Sequence, residues 1–198
     1  MDPTVLAALT IAAFEDADLD LARTSAQRAV RVEDRLAPAW YYLGLVHERT
    51  GNPKQAAHAF QRAHAIDPDT HPLPLVLTDA QWLEASEHAQ ANLPPAIQAF
   101  YVQVPLVWEP YPDRADLQTA APALNPLIGA LFVGVPPLDG DPWKTLPQAV
   151  RVFTGNLKHA LPSGSTLIDR LSHALLQEAL SWTGAGIDDL LTAFPTRR

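Results

Sequence analysis

The sequence predicts an α+β protein in two parts: all-α helical hairpins at the N-terminus and a small α+β domain after them. Three observations lead there. Residues 37–68, APAWYYLGLVHERTGNPKQAAHAFQRAHAIDP, carry helical periodicity in two halves separated by Thr50-Gly51-Asn52-Pro53. A Pro-rich joint, His71-Pro72-Leu73-Pro74, ends that pattern. Short β-branched and aromatic runs follow it, and one long apolar-striped segment closes them near Gly184. On this reading the helical hairpins occupy residues 1–70, the joint 71–76 and the second domain 77–198. With 198 residues and 47% hydrophobic content, the chain can bury a real core as one domain or two small ones.

Within residues 37–68, Gly51 suits the left-handed exit of a first helix and Pro53 the first turn of a second, where Ala56, Phe60 and Ala63 recur on one face. Trp40, Leu43, Gly44, Ala56, Phe60, Ala63 and Pro68 fall at the spacing of the tetratricopeptide repeat, which this stretch closely resembles. Gly44 and Ala56 are small where the two helices cross. His47 stands where the pattern usually has Tyr and reads as a structural residue. One repeat length upstream, about 34 residues, Leu6, Leu9, Ala22, Ala26 and Ala29 take equivalent positions, and Asp34 stands where Pro68 does. A weaker first copy is therefore expected. Two copies fall short of the roughly three such arrays need, so Asp79 to Leu93, with Trp82, Ala89 and Leu93 on one stripe, is expected to cap the exposed end.

The resemblance also implies a partner-binding surface. The groove-facing side of the first helices carries Ala7, Ile11, Phe14, Tyr41, Leu45 and Glu48, a mostly apolar set. Such a face takes an amphipathic segment of a protein or peptide partner, or it packs against the chain's own second half. Ile11, Phe14, Tyr41, Leu45 and Glu48 are the candidate partner-binding residues.

After the joint, Tyr101 to Trp108, Ile128 to Val133 and Ala149 to Thr154 read as strands, with Pro105 marking an edge or a bulge in the first. The last helix is expected from Ser165 to Trp182. Ser163, Ser165 and Thr166 offer capping hydroxyls, Asp169 favours the first turn, and Gly184 or Gly186 terminates it. Leu167, Leu171, Ala174, Leu175 and Ala179 form its apolar stripe.

From Leu77 to Phe194 the order of elements resembles the compact bacterial zincins called minimal matrix-metalloprotease-like. The resemblance rests on LTDAQWLEASEHAQANLPPAIQAF, VQVPLVWEP, LIGALFVGVPPL, AVRVFTGNLKHAL and STLIDRLSHALLQEALSWTG, and it lies in pattern more than identity. It implies a zincin-like domain packed with the repeat hairpins. The family's helix ends His-Glu-x-x-His-x-x-Gly. LQEALSWTG matches it at Glu178 and Gly184 but places Gln177 and Ser181 at the two histidines and Ile187 at the third ligand; a slip of one residue would offer Asp188 there.

A carboxamide and a hydroxyl are weak neutral oxygen donors in place of two imidazoles one helical turn apart. The resemblance therefore implies a metallopeptidase-like domain that binds no zinc, needs no cofactor and retains Glu178 as a vestige of the general base. A register starting at His173 loses both the base and the glycine. A chance site of His173, Gln177 and Ser181 with His159 is the less favoured reading, because a lone histidine on a packed helix usually satisfies structure. The strand edge beside Gln177 and Ser181 is a further expected place for peptide to lie. The remaining histidines, His47, His58, His64, His71 and His88, show no ligand-like pairing, and solvated faces explain most of them.

A net charge of −8 disfavours nucleic acid and anionic membrane surfaces as partners. No cysteine is present, which points to a reducing compartment and a cytoplasmic location. No Lys or Arg precedes Arg23, so no secretory leader is expected and the chain reads as beginning at its mature start. Residues 117–138 are uncharged, but Pro122, Pro126, Pro136 and Pro137 make a membrane span a poor reading. No phosphate loop or nucleophile elbow supports another enzyme class.

Overall fold

The computed structural model of the protein describes residues 2–119, 124–136, 145–159 and 166–184. Its chain contacts divide it into two compact units. The first comprises Met1–Leu75, Tyr111–Leu127 and Lys158–Ser165, and the second Val76–Pro110, Ile128–Leu157 and Thr166–Arg198.

The first unit begins with two helical hairpins, α1 (Pro3–Glu15) with α2 (Leu19–Val32) and α3 (Ala37–Arg49) with α4 (Pro53–Ile66). Asp2 accepts from Thr4 N and Asp18 from Leu21 N, so carboxylates cap α1 and α2. The second hairpin starts each helix 34 residues after the first (37 − 3 and 53 − 19), which is the repeat offset expected from sequence. Gly51, at φ 71°, makes the turn between α3 and α4. Alanines at 22, 26, 29, 56, 59 and 63 are buried, and their small side chains let neighbouring helices approach. Gly44 carries this furthest: a Cβ there would lie 2.6 Å from Cε1 of Phe60. Leu9, expected inside, is exposed, whereas Leu6, Ala22, Ala26 and Ala29 are buried.

The second unit contains α5 (Asp79–Ala91), α6 (Pro95–Tyr101), β1 (Leu106–Glu109), β2 (Ala130–Val133), β3 (Ala149–Phe153), a short α8 (Thr154–Leu157) and α9 (Leu167–Thr183); α7 (Arg114–Thr119) belongs to the first. The strands form one sheet in the order β1-β3-β2, with β1 parallel and β2 antiparallel to β3. Val150 and Val152, buried at its centre, join Ile97, Phe100, Leu171, Leu175 and Ala179 in one apolar core. Tyr101 locks α6 to α9 by donating to Leu175 O at 2.7 Å, and Ser172 Oγ donates to Ala89 O of α5 at 3.1 Å.

One expectation needs correction. The first strand does not begin at Tyr101: Pro94 and Pro95 start a helix whose buried face is Ala96, Ile97, Phe100 and Tyr101, and the strand starts only after Pro105. The helix expected as an end cap, α5, is part of the second unit, where Ala89 and Leu93 enter the core. The last helix does match its expected span closely. Thr166 Oγ1 accepts from Asp169 N while Asp169 accepts from Thr166 N, and Gly184 closes the helix at φ 64°. Thr166→Ala should therefore lower stability by about 1 kcal/mol in urea denaturation, with the extra amide exchange confined to the first turn of α9.

Candidate functional site

The residues read as a partner-binding face come together in the first unit. Tyr41, Leu45 and Glu48 follow one another at helical spacing along α3, as Ile11 and Phe14 do along α1. Phe14 and Leu45 are 0% exposed, while Ile11 and Tyr41 are half-buried. The Glu48 side chain is 9% exposed and is bound by two groups of the same unit, Lys158 Nζ at 2.5 Å and His159 Nε2 at 2.8 Å.

His159 is 4% exposed and sits against the rings of Tyr41 and Phe60. Burial holds its pKa below the ordinary imidazole range despite the Glu48 carboxylate. Burial alone would raise Glu48, but the hydrogen bonds and charges of His159 and Lys158 outweigh it and hold the carboxyl below its usual range. The pair is thus a carboxylate and a neutral imidazole that donates through Nε2. Its Nδ1 is buried with no hydrogen-bond partner among the described residues.

Arg49 lies beside them, its guanidinium over the rings of Phe14 at 4.7 Å and Tyr111 at 4.8 Å, donating to Leu45 O and Pro126 O. Burial pulls its pKa down to about 10. This face of the hairpins is therefore filled by the protein's own groups. Lys158, Arg49 and Tyr111 were not legible as its occupants. The one sequence signal was Glu48 itself, an acid in an otherwise apolar set.

The second candidate lies on α9. Gln177 and Ser181 are exposed, as is His173, so the three share the solvent face of the helix. Ile187 and Asp188 lie outside the described residues. Glu178 turns the other way, and its Oε2 accepts the backbone N–H of Phe132 on β2 at 3.0 Å. In the antiparallel register Leu131 pairs with Arg151, and Phe153 N donates to Gly129 O, so the N–H of Phe132 points away from β3, to the side of β2 that pairs with no strand among the described residues. Glu178 thus satisfies an edge amide, at the very strand edge expected to lie near Gln177 and Ser181. Burial pushes its pKa up to about 7, partly offset by the Phe132 N–H. Trp182 fastens the same corner, edge-on to Phe132 with centroids 4.7 Å apart and donating to Thr145 O.

These donors do not fit a zinc ion. The two helix positions carry neutral, solvated oxygen donors, and the carboxylate between them is directed at a backbone amide. Among the described residues, no three His, Cys, Asp or Glu side chains gather as a metal-binding group. His159 is engaged by Glu48. His71 is buried against Tyr41 rather than solvated, and its Nε2 lacks a hydrogen-bond partner among the described residues. No helix among the described residues is long and apolar enough to cross a membrane.

Residues 37–70 match the tetratricopeptide repeat family. The N-terminal region accordingly carries a tetratricopeptide repeat. The chain is also similar to anaphase-promoting complex subunit 3 of Schizosaccharomyces pombe, 39% identical over 72 residues. That similarity covers 35% of this chain and 11% of the relative, so the chain spans only a small part of the relative's length. No solved structure matches the chain significantly.

Proposed function

We propose that the protein is a non-catalytic interaction or scaffold protein, built from a tetratricopeptide-like module and a metallopeptidase-like domain that has lost its zinc ligands. The repeat at residues 37–70 carries the reading, because stacked helical hairpins of this kind work by presenting surfaces to other proteins. The similarity to a protein named as a subunit of a complex agrees with it. Gln177 and Ser181 at the ligand positions, and Glu178 turned onto the Phe132 amide, support the non-catalytic half. The partner is a protein or peptide, and the net charge of −8 argues against nucleic acid or an anionic membrane. A cytoplasmic setting follows the absence of cysteine.

The proposed partner face is that of Ile11, Phe14, Tyr41, Leu45 and Glu48. A partner reaches it only by displacing Lys158 and His159 from Glu48. Lys158→Ala combined with His159→Ala should then raise stoichiometric capture of a protein from source-cell lysate by about tenfold, the equivalent of roughly one charge-assisted hydrogen bond. Unchanged capture would remove the face from consideration.

The alternative is a metal-dependent peptidase or hydrolase with a rearranged site using Glu178. What favours it is that carboxyl's pKa of about 7, suited to general-base work near neutrality. The two readings separate on untagged protein: the interaction reading expects no stoichiometric zinc and no peptide hydrolysis. Bound zinc together with hydrolysis abolished by Glu178→Ala would establish the enzyme instead.

A further inference from the structure

The opposite margin of the sheet is organised differently. Val150 N donates to Pro105 O, which fixes the parallel ladder so that residues 105, 107 and 109 turn their backbone groups toward β3. The N–H and C=O groups of Leu106 and Trp108 consequently point outward, and no hydrogen bond to them is found among the described residues. Where Glu178 covers the β2 margin, no side chain among the described residues does so here.

This open margin forms one wall of a groove whose other wall is α5. Two concavities, of ≈380 Å³ near Asp79 and Glu109 and ≈420 Å³ near Tyr101, run along it and share Leu83 and Trp108. Leu83 is 60% exposed and Val102 86%. Trp82 and Trp108 both line the first concavity, their ring centroids 6.0 Å apart and their planes tilted by 49°. The charge is one-sided: residues 76–110 contain Asp79, Glu84, Glu87 and Glu109 and no Lys or Arg. Glu109 is paired with Arg151, which leaves the exposed Asp79 as the carboxylate at the mouth.

We infer that this groove binds an extended peptide carrying an Arg or Lys, which adds to β1 as a further strand and lays its cationic side chain on Trp82 and Trp108 beside Asp79. Strand addition supplies partners for the two outward amides and carbonyls. The indole faces attract a cation, and the acidic wall selects it over an anion. Pro110, the next outward position after Trp108, has no N–H to offer, so the pairing is short and its register is set by Leu106 and Trp108. The site lies wholly within the second unit and does not depend on the repeat.

The test uses the full chain and two heptapeptide libraries with randomised flanks, one with a fixed central Arg and one with a fixed central Glu. The Arg library should yield binders, and exchanging Arg for Glu in a selected peptide should weaken binding at least about tenfold, as loss of one charge-assisted contact does. In that complex the Leu106 and Trp108 amides should become protected from exchange. N-methylation at alternate peptide positions should abolish binding in one phase and leave it intact in the other. Asp79→Asn and Trp108→Ala should each weaken binding without altering the fold by circular dichroism. Equal yields from both libraries, no binders from either, or binding indifferent to N-methylation and to Trp108→Ala would each overturn the proposal.

Discussion

Gly44→Val should lower the stability of the first unit by about 3 kcal/mol, the upper end of what overpacking a core costs, read as a shift of the urea midpoint. The glycine lies inside α3, where its usual effect is to weaken a helix by about 1 kcal/mol relative to alanine. Here that propensity is overruled. The ring of Phe60 occupies the space of a side chain, with Cε1, Cδ1 and Cζ all within 2.9 Å of where a Cβ would stand. Phe60 is itself buried among Leu45, Val46 and Ala56, so the ring has little room to withdraw. Gly44→Ala separates the two effects, since helix propensity alone would make it stabilising. A net loss shows that the contact decides. Combining it with Phe60→Leu should then recover part of that loss, because residues in contact are not additive. A stabilising Gly44→Ala would mean that the helices are free to separate.

Glu178→Gln should stabilise the protein at alkaline pH and leave it unchanged in acid. The carboxyl is raised from its ordinary 4.5 to about 7 by burial. Below 4.5 both folded and unfolded chains hold the proton and the group is neutral to stability. Between those values only the folded chain holds it, so stability falls as pH rises, until both forms have lost it above about 7. The full difference is 2.5 units, about 3 kcal/mol at most at 1.36 kcal/mol per unit. Glutamine removes the titration while keeping an oxygen for the Phe132 N–H. His159, whose pKa is lowered, imposes the opposite slope as pH falls through 6.5. Subtracting variant from wild type at each pH cancels it. Equal stability of the two proteins at pH 8 would show that solvent or a cation already compensates the charge.

What could be read from the sequence was local. The turn at Gly51 to Pro53, the helix between Thr166 and Gly184, and the β3 run are each specified by residues within a few positions, so capping and chain geometry suffice. The start of the first strand is less local, because the apolar run from Tyr101 to Trp108 fits a strand while its first residue belongs to the preceding helix. The packing of Tyr101 on α9, with its hydroxyl on Leu175 O, keeps it in the helix. Sheet order and the surroundings of Glu48 were out of reach for a different reason. His159 lies 111 residues from Glu48 in sequence, and no periodicity reports a contact made at that distance. On α9 the sequence singles out Gln177, Glu178 and Ser181, but not that the carboxylate among them caps a strand edge.

The first unit leaves the chain at Leu75 and recovers it at Tyr111 and again at Lys158. A ribosome adding about 5–20 residues per second exposes the early helices for roughly 6–20 seconds before the lysine and imidazole that neutralise their buried acid have been made. Until residues 158 and 159 have been added, Glu48 stands without the two groups that bind it in the finished fold.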